Sequence, residues 1–183
     1  RIPHQPDYPA LRHLDAQSDE STESPCLMGK KIEEILTLCQ EKYPEHAFEI
    51  DPLNSGALVI PRELVPQIYE WFNQDPELAF DYFDFSTCTD HPPEFLDLIS
   101  SLFSYKHKHR LGLKIRLPRE NPIIHTLSHI WANADWNERE IYDLFGVFFQ
   151  GHPDLRRLMM PDDWEGHPLR KDYMHPNLVS KPD

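Results

Sequence analysis

With 183 residues, 39% of them hydrophobic, the chain has material for one well-buried core and not for two. A formal net charge of -13 argues against nucleic acid, whose binders present a clustered basic face, and it disfavours direct contact with anionic lipid, although short basic clusters stand at Lys106–Arg110, Arg156–Arg157 and Arg170–Lys171. No run approaches the roughly 18–20 consecutive apolar residues of a membrane-spanning helix, so any membrane association is expected to be indirect.

The chain opens on Arg1-Ile2-Pro3-His4, without the apolar run of a secretory signal. It also opens without an initiator Met, so an upstream piece is expected to be missing or processed. Residues 1–29 hold Pro3, Pro6, Pro9 and Pro25 and the polar run from Gln17 to Ser24. Lacking apolar periodicity, they are expected to be an extended or disordered arm that needs a surface to lie on. Ile32, Ile35, Leu36, Cys39 and Tyr43 then recur at helical spacing, one stripe stopped by Pro44. Ala47–Ile50 and Ala57–Ile60 flank the turn formers Asp51-Pro52-Leu53-Asn54-Ser55-Gly56, which predicts a hairpin. Pro61 opens a second helix with Leu64, Ile68 and Phe72 on one face. Phe80–Cys88, Phe95–Tyr105 and Arg110–Leu117 read as strands. In the last, Leu111, Leu113, Ile115 and Leu117 face one way and Arg110, Lys114 and Arg116 the other. These elements predict an α+β two-layer domain over residues 30–146, a mixed or antiparallel sheet with helices on one face.

After Pro118, Pro122–Trp131 reads as a short helix. A further helix is expected to start at Asp135, with Asp135 as its cap and Glu138 at the capping-box position. Ile141, Leu144 and Phe145 form its buried face, and Gly146 supplies a left-handed stop. The tail, 147–183, carries Pro153, Pro161, Pro168 and Pro176, which exclude long helices and central strands. Yet it also carries Leu155, Leu158, Met159, Met160, Trp164, Leu169 and Tyr173, which need a hydrophobic surface. Either the tail wraps its own domain or it embraces another subunit; the residue types leave both open.

Cys26, Cys39 and Cys88 fit no CxxC pattern and read as free thiols, so an electron carrier held by this chain alone is not expected. Among eleven histidines, His107 and His109 stand at i and i+2 and could share a strand face. There is no HExxH and no Cys/His zinc spacing, so surface or partner-contact histidines are the plainer reading. His152, His167 and His175 each precede a proline, as in turns. No GxSxG elbow or glycine-rich phosphate loop is present. Asp135, Glu138, Glu140 and Asp143 surround Arg139 on a presumed helix, where such charges are salt-bridged or solvated more often than catalytic. Arg156, Arg157, Arg170 and Lys171, with Asp172, lie among aromatic residues. Arginine forks beside Trp and Tyr suit a protein interface.

The run Asn137-Glu138-Arg139-Glu140-Ile141-Tyr142-Asp143-Leu144-Phe145-Gly146 resembles the signature of the 30-kDa (C-type) subunit family of respiratory complex I. So do Gly151–Leu158 and Pro161–Tyr173, and Ser104–Leu111 is similar to the family's basic strand start. The likeness covers about Lys30–Tyr173. The acid in Phe95-Leu96-Asp97-Leu98 is unusual, and residues 1–29 lie outside the likeness. The resemblance implies a cofactor-free structural subunit in the peripheral arm of a proton-translocating NADH:quinone oxidoreductase, with FMN and iron–sulfur clusters in partner subunits. It implies packing against the 49-kDa subunit near the quinone site and against a neighbouring iron–sulfur subunit. Membrane association would come only through the complex, on the cytoplasmic face of the bacterial inner membrane or the matrix side of the mitochondrial one. Carried over by motif, Glu138, Arg139, Glu140 and Asp143 are structural links. Asp154, Arg156, Arg157, Asp162, Trp164, Arg170, Lys171, Asp172 and Tyr173 form a docking strip. Equivalent subunits of membrane-bound hydrogenases or of ferredoxin- or F420-dependent complexes are the alternative. A stand-alone metal enzyme using His107 and His109 is a third reading.

Overall fold

A computed structural model describes residues 29–52 and 56–174, so the arm assigned to 1–29 lies, but for Gly29, outside the described residues. The first apolar stripe forms helix α1, Ile32–Lys42, with Ile35 and Cys39 fully buried. Strands β1, Glu49–Asp51, and β2, Ala57–Val59, pair antiparallel as the hairpin the turn formers predict. A 3₁₀ turn at Arg62–Leu64 leads into helix α2, Val65–Gln74. Pro61 stands just ahead of that turn, where a missing N–H costs nothing. Val65, Ile68, Tyr69 and Phe72 form the buried face of α2.

Strands β3, Tyr82–His91, β4, Phe95–Ser104, and β5, His109–Pro118, follow as two antiparallel hairpins. The five-stranded sheet has the order β1-β2-β5-β4-β3, and β2 runs parallel to β5, so the sheet is mixed. Its register sets Leu96 opposite Leu117, Leu98 opposite Ile115 and Leu102 opposite Leu111, all buried. That alternation turns one face to the helices, where Ile35, Cys39, Ile68 and Phe72 complete a single core. Burying a Leu-sized side chain in such a core is worth about 1.5–3 kcal/mol, which is why register here is fixed.

The opposite face holds charge where solvated side chains are expected. Lys114 lies on that face with Arg110 and Arg116, as the alternation predicts, but it is buried and not solvated. Its Nζ is 2.7 Å from Asp51 and 2.8 Å from Asp97. Asp97 also meets Arg116 at 3.1 Å, and the Arg116 guanidinium lies over the Phe95 ring. The acid that stands out within Phe95–Leu98 is therefore one member of a buried ionic group.

Two readings beyond Pro118 are corrected. The segment read as a helix over Pro122–Trp131 is a short strand, β6, Ile123–His125, followed by turns. Its partner is β7, Phe148–Gln150, and the two run parallel. Between them lies helix α3, Ala134–Phe145, which begins one residue before the expected cap. Asn133 is the N-cap residue and makes no side-chain cap bond, so Asp135 does not close the helix. Instead the Asn133 amide donates to the Phe83 carbonyl, and the Ser86 N–H donates to Asn137 Oδ1 at 3.1 Å. Helix α3 thus closes backbone groups on the outer edge of β3, which an open edge strand would expose.

Candidate subunit interface

The predicted link residues sit on α3, and the structure separates their roles. Asp143 is fully buried, yet both of its oxygens are filled. Oδ1 accepts from Arg157 at 2.6 Å, and Oδ2 accepts the backbone N–H groups of Leu158, Met159 and Met160 at 3.0, 2.7 and 2.8 Å. Burial alone would raise this carboxyl. The bonds from Met160, Arg157, Met159 and Leu158 outweigh that and hold it below the usual carboxylate range. Arg157 also donates to the carbonyls of Asp143 and Gly166, at 3.2 and 3.0 Å. Arg139 extends the clasp towards the carbonyls of Arg156 and Arg157, at 3.4 and 3.5 Å. One carboxylate and two guanidinium groups therefore strap the proline-rich segment onto α3.

Glu138 is buried and does not serve a capping box. Its Oε1 accepts the Leu127 N–H at 2.6 Å, and Oε2 meets the Thr126 hydroxyl at 2.5 Å. Thus α3 is tied to the turn after β6. Burial pushes this carboxyl up to about 7, against the opposing bonds from Thr126 and Leu127. The buried His152 ring stands 3.8 Å from it. Glu140 points to solvent.

The helix ends where Gly146 takes φ of 74°, with its N–H on the Tyr142 carbonyl. A Cβ there would lie 2.5 Å from the His167 ring, so glycine is required twice over. That ring donates from Nδ1 to the Asp143 carbonyl at 3.0 Å. The Leu169 N–H closes on the Leu144 carbonyl, and Arg170 Nε donates to the Phe145 carbonyl at 2.7 Å. The Tyr173 hydroxyl donates to the Glu165 carbonyl at 3.3 Å, its ring packed where Gly166 leaves room.

A second clasp has no counterpart among the predicted links. Asp90, at the end of β3, accepts from Arg119 at 2.7 and 3.1 Å and from the Lys171 N–H at 2.8 Å. Arg119 reaches on to Asp172. Its guanidinium holds the Asp90 carboxyl below the usual range. The sequence signal is a charged residue near the end of β3 and another just past β5, which reads equally well as solvated.

The tail residues therefore divide. Arg157, Arg170, the Lys171 backbone and Asp172 fasten residues 152–174 to the chain's own domain. Asp154 and Arg156 pair with each other at 2.8 Å on the exposed side. Asp162 is exposed and Trp164 half-buried. Among the described residues of this half, Ile123, Trp136, Phe148, Met159, Leu169 and Met174 are exposed. Neither member of the histidine pair is left over. His107 Nε2 bonds the Pro76 carbonyl at 2.8 Å. His109 accepts the Lys30 N–H and bonds the Leu78 carbonyl. Among the described residues, no group of three His, Cys, Asp or Glu stands together as a metal site, and no helix is long and apolar enough to cross a membrane.

Comparison with known proteins places this geometry. Residues 58–177 match the family model of the respiratory-chain NADH dehydrogenase 30 Kd subunit. The C-type subunit of the NADH-quinone oxidoreductase of Chloroherpeton thalassium is 34% identical over 171 residues, covering 92% of this chain and 68% of the relative. Its counterpart in Mycobacterium bovis is 41% identical over 119 residues, and there the match covers 63% of this chain and 50% of the relative. Among solved structures, the trypsin-resistant fragment 1–134 of Nqo5 is similar at a TM-score of 0.56 and 27% identity, covering 68% of this chain and 98% of the fragment. A chain of an archaeal membrane-bound sulfane sulfur reductase shares the fold, at a TM-score of 0.63 and 23% identity, covering 78% of this chain and 85% of that one.

Proposed function

Since the chain belongs to the respiratory-chain NADH dehydrogenase 30-kDa subunit family, we propose that it is a cofactor-free structural subunit in the peripheral arm of a proton-translocating NADH:quinone oxidoreductase. It holds neighbouring subunits in place, and FMN and the iron–sulfur clusters reside in those partners. The 49-kDa-type subunit near the quinone site is the principal partner, with an iron–sulfur subunit beside it. The complex holds the chain at the membrane, on the cytoplasmic face in a bacterium.

One observation carries this reading. The Asp143 clasp spends the tail's polar groups on the chain's own α3, yet the strapped segment still turns Met159, Leu169 and Met174 outward. A tail that only wrapped its domain would bury those side chains. Apolar side chains on a pre-ordered surface cost little entropy to dock, which suits a scaffold. The arginine and aromatic residues beside them are the types that anchor interfaces.

The second reading is an equivalent subunit of a membrane-bound hydrogenase or of a ferredoxin- or F420-dependent complex, and the fold shared with a chain of an archaeal membrane-bound respiratory complex keeps it in view. Gentle detergent extraction with this chain as bait, read for co-purified subunits and NADH:quinone activity together, separates the two. Recovery of a 49-kDa-type subunit with NADH oxidation is expected. A metal-site large subunit without NADH oxidation would move the chain to the other branch, and a chain recovered alone would overturn the scaffold reading.

A further inference from the structure

Among the described residues, the remaining large exposed apolar side chains, Tyr82, Phe85 and Tyr105, belong to the sheet face that the helices leave bare and to its hairpin end. On that face the register brings small residues into one row across three strands. Ser101 of β4 lies opposite Gly112 of β5. A Cβ at Gly112 would sit 3.7 Å from Ala57 of β2. Phe85 of β3 stands opposite Ser101 and closes the row at its far end. The neighbouring rows are taller, Ile99 with Lys114 on one side and Phe103 with Arg110 on the other. Small side chains between two rows of large ones make a trough across the strands, an open groove of about 690 Å³.

Two features show that this groove is incomplete. The hydroxyl of Ser101 is buried at its floor without a hydrogen-bond partner. Such an atom costs about 1–3 kcal/mol unless something supplies one. Phe85, at its wall, is 43% exposed.

The chain itself arrives at the groove. Gly29 is pressed against the end of the β4–β5 hairpin, where a Cβ would lie 2.3 Å from the His109 Cβ. The Lys30 N–H is fixed on His109 Nδ1 at 3.1 Å, and Lys30 to Glu33 line the groove's mouth. The residues just before Gly29 are Cys26, Leu27 and Met28, three apolar side chains. Fully extended, three residues reach about 10 Å, enough to enter the trough. Further back stand Asp19, Glu20 and Glu23, while Lys31 borders the groove; Arg110, also at its rim, is already paired with Asp84. A tethered segment acts at an effective concentration of about millimolar, far above that of any free competitor.

We propose that the groove across the bare face of the sheet is the docking site of the chain's own segment before Gly29. Leu27 and Met28 fill the trough beside Phe85, and the acidic residues lie towards Lys31. The arm thereby covers an apolar face that would otherwise invite association.

A photoreactive benzoylphenylalanine at position 27 of the full chain tests this, with the crosslinked peptides mapped by mass spectrometry. Crosslinks to Phe85, Ile99 or the Ser101–Gly112 row are expected, within one chain and at a yield independent of protein concentration. Gly112→Val fills the floor and should cut that yield at least fivefold. Phe85→Asp alters only an exposed wall and should do the same, which keeps the test decisive if the glycine variant does not fold. Three results would overturn the proposal: crosslinks scattered over other surfaces, a yield that both variants leave unchanged, or crosslinked dimers that grow with concentration. The last would assign the groove to a second copy of the chain.

Discussion

At the scale of single residues, Asp143 carries the most weight, because one buried carboxylate orders three consecutive backbone N–H groups and an arginine. Removing one partner of a buried charged group typically costs about 3–5 kcal/mol, since the other is left without compensation. Asp143→Ala is therefore expected to lower the stability of the isolated chain, read from its denaturant midpoint, by that order. Arg156→Ala, paired only with exposed Asp154, should change it by less than about 0.5 kcal/mol. Equal losses would show that Arg156 fastens the tail as much as Asp143 does. The buried acids also respond oppositely to pH. Asp143 and Asp90 have folded values below the ordinary carboxylate range. Their stabilisation is present above an unfolded value of about 3.9 and is lost as the pH falls through the lower folded one. Glu138 has its folded value raised to about 7. Its contribution is complete below the unfolded value of about 4.3 and is lost as the pH rises through 7, on the order of 3 kcal/mol in all. Unfolding of the wild-type chain and of Glu138→Gln at pH 5.5 and pH 8 measures this. The difference in stability between the two chains should shift in favour of Glu138→Gln at the higher pH, and an unchanged difference would mean that Glu138 stays ionised throughout.

At the scale of elements, what could be read from the sequence follows the range of the forces involved. The stripe of α1, the Pro61 entry to α2, the Leu111–Leu117 alternation and the Gly146 stop are local, and each is where its residue types place it. The helix expected over Pro122–Trp131 fails because Ile123–His125 is too short to be a strand by pattern alone. It becomes one by pairing with Phe148–Gln150, across the whole of α3. Asp135 and Glu138 show a capping pattern, but a buried hydrogen-bonding site at Thr126 and Leu127 claims Glu138 for tertiary contact. Glu138, Arg139 and Asp143 are visible as a charged helix face, whereas Asp90 and Arg119 are not. Their meaning depends on where Lys171 and Asp172 return, more than fifty residues later. Placing the edge of the tail at 147 also parts β7 from its partner β6, and Val147 and Phe149 are core residues. Truncation after Gly146 removes both, at about 2–5 kcal/mol for a large buried side chain. Truncation after Gly151 spares them and should leave a more stable remnant. Thermal melts of the two shortened chains check this ordering, and equal melting would show that β7 contributes nothing to the core.

At the scale of the whole molecule, the largest exposed apolar side chains among the described residues fall mainly into two groups. Tyr82, Phe85 and Tyr105 belong to the bare sheet and its hairpin end. Trp136, Met159, Leu169 and Met174 belong to α3 and the strapped tail. If the second surface holds the partner subunit, a charge placed there must be desolvated on assembly without disturbing the free chain. Met159→Glu and Leu169→Glu are suited to this, since those side chains are 63% and 52% exposed and only their backbone groups hold the fold. Burying one unpaired carboxylate at a docked surface costs several kcal/mol, so incorporation into the complex should fall at least tenfold while the melting temperature of the free chain stays within about 2 °C. Tyr82→Glu places the same charge on the other surface and should leave incorporation as it is. Native electrophoresis of membranes expressing each variant in place of the wild-type chain reads all three. Incorporation blocked by Tyr82→Glu and tolerated with the two tail variants would move the partner to the bare sheet, and would also displace the chain's own arm from its groove.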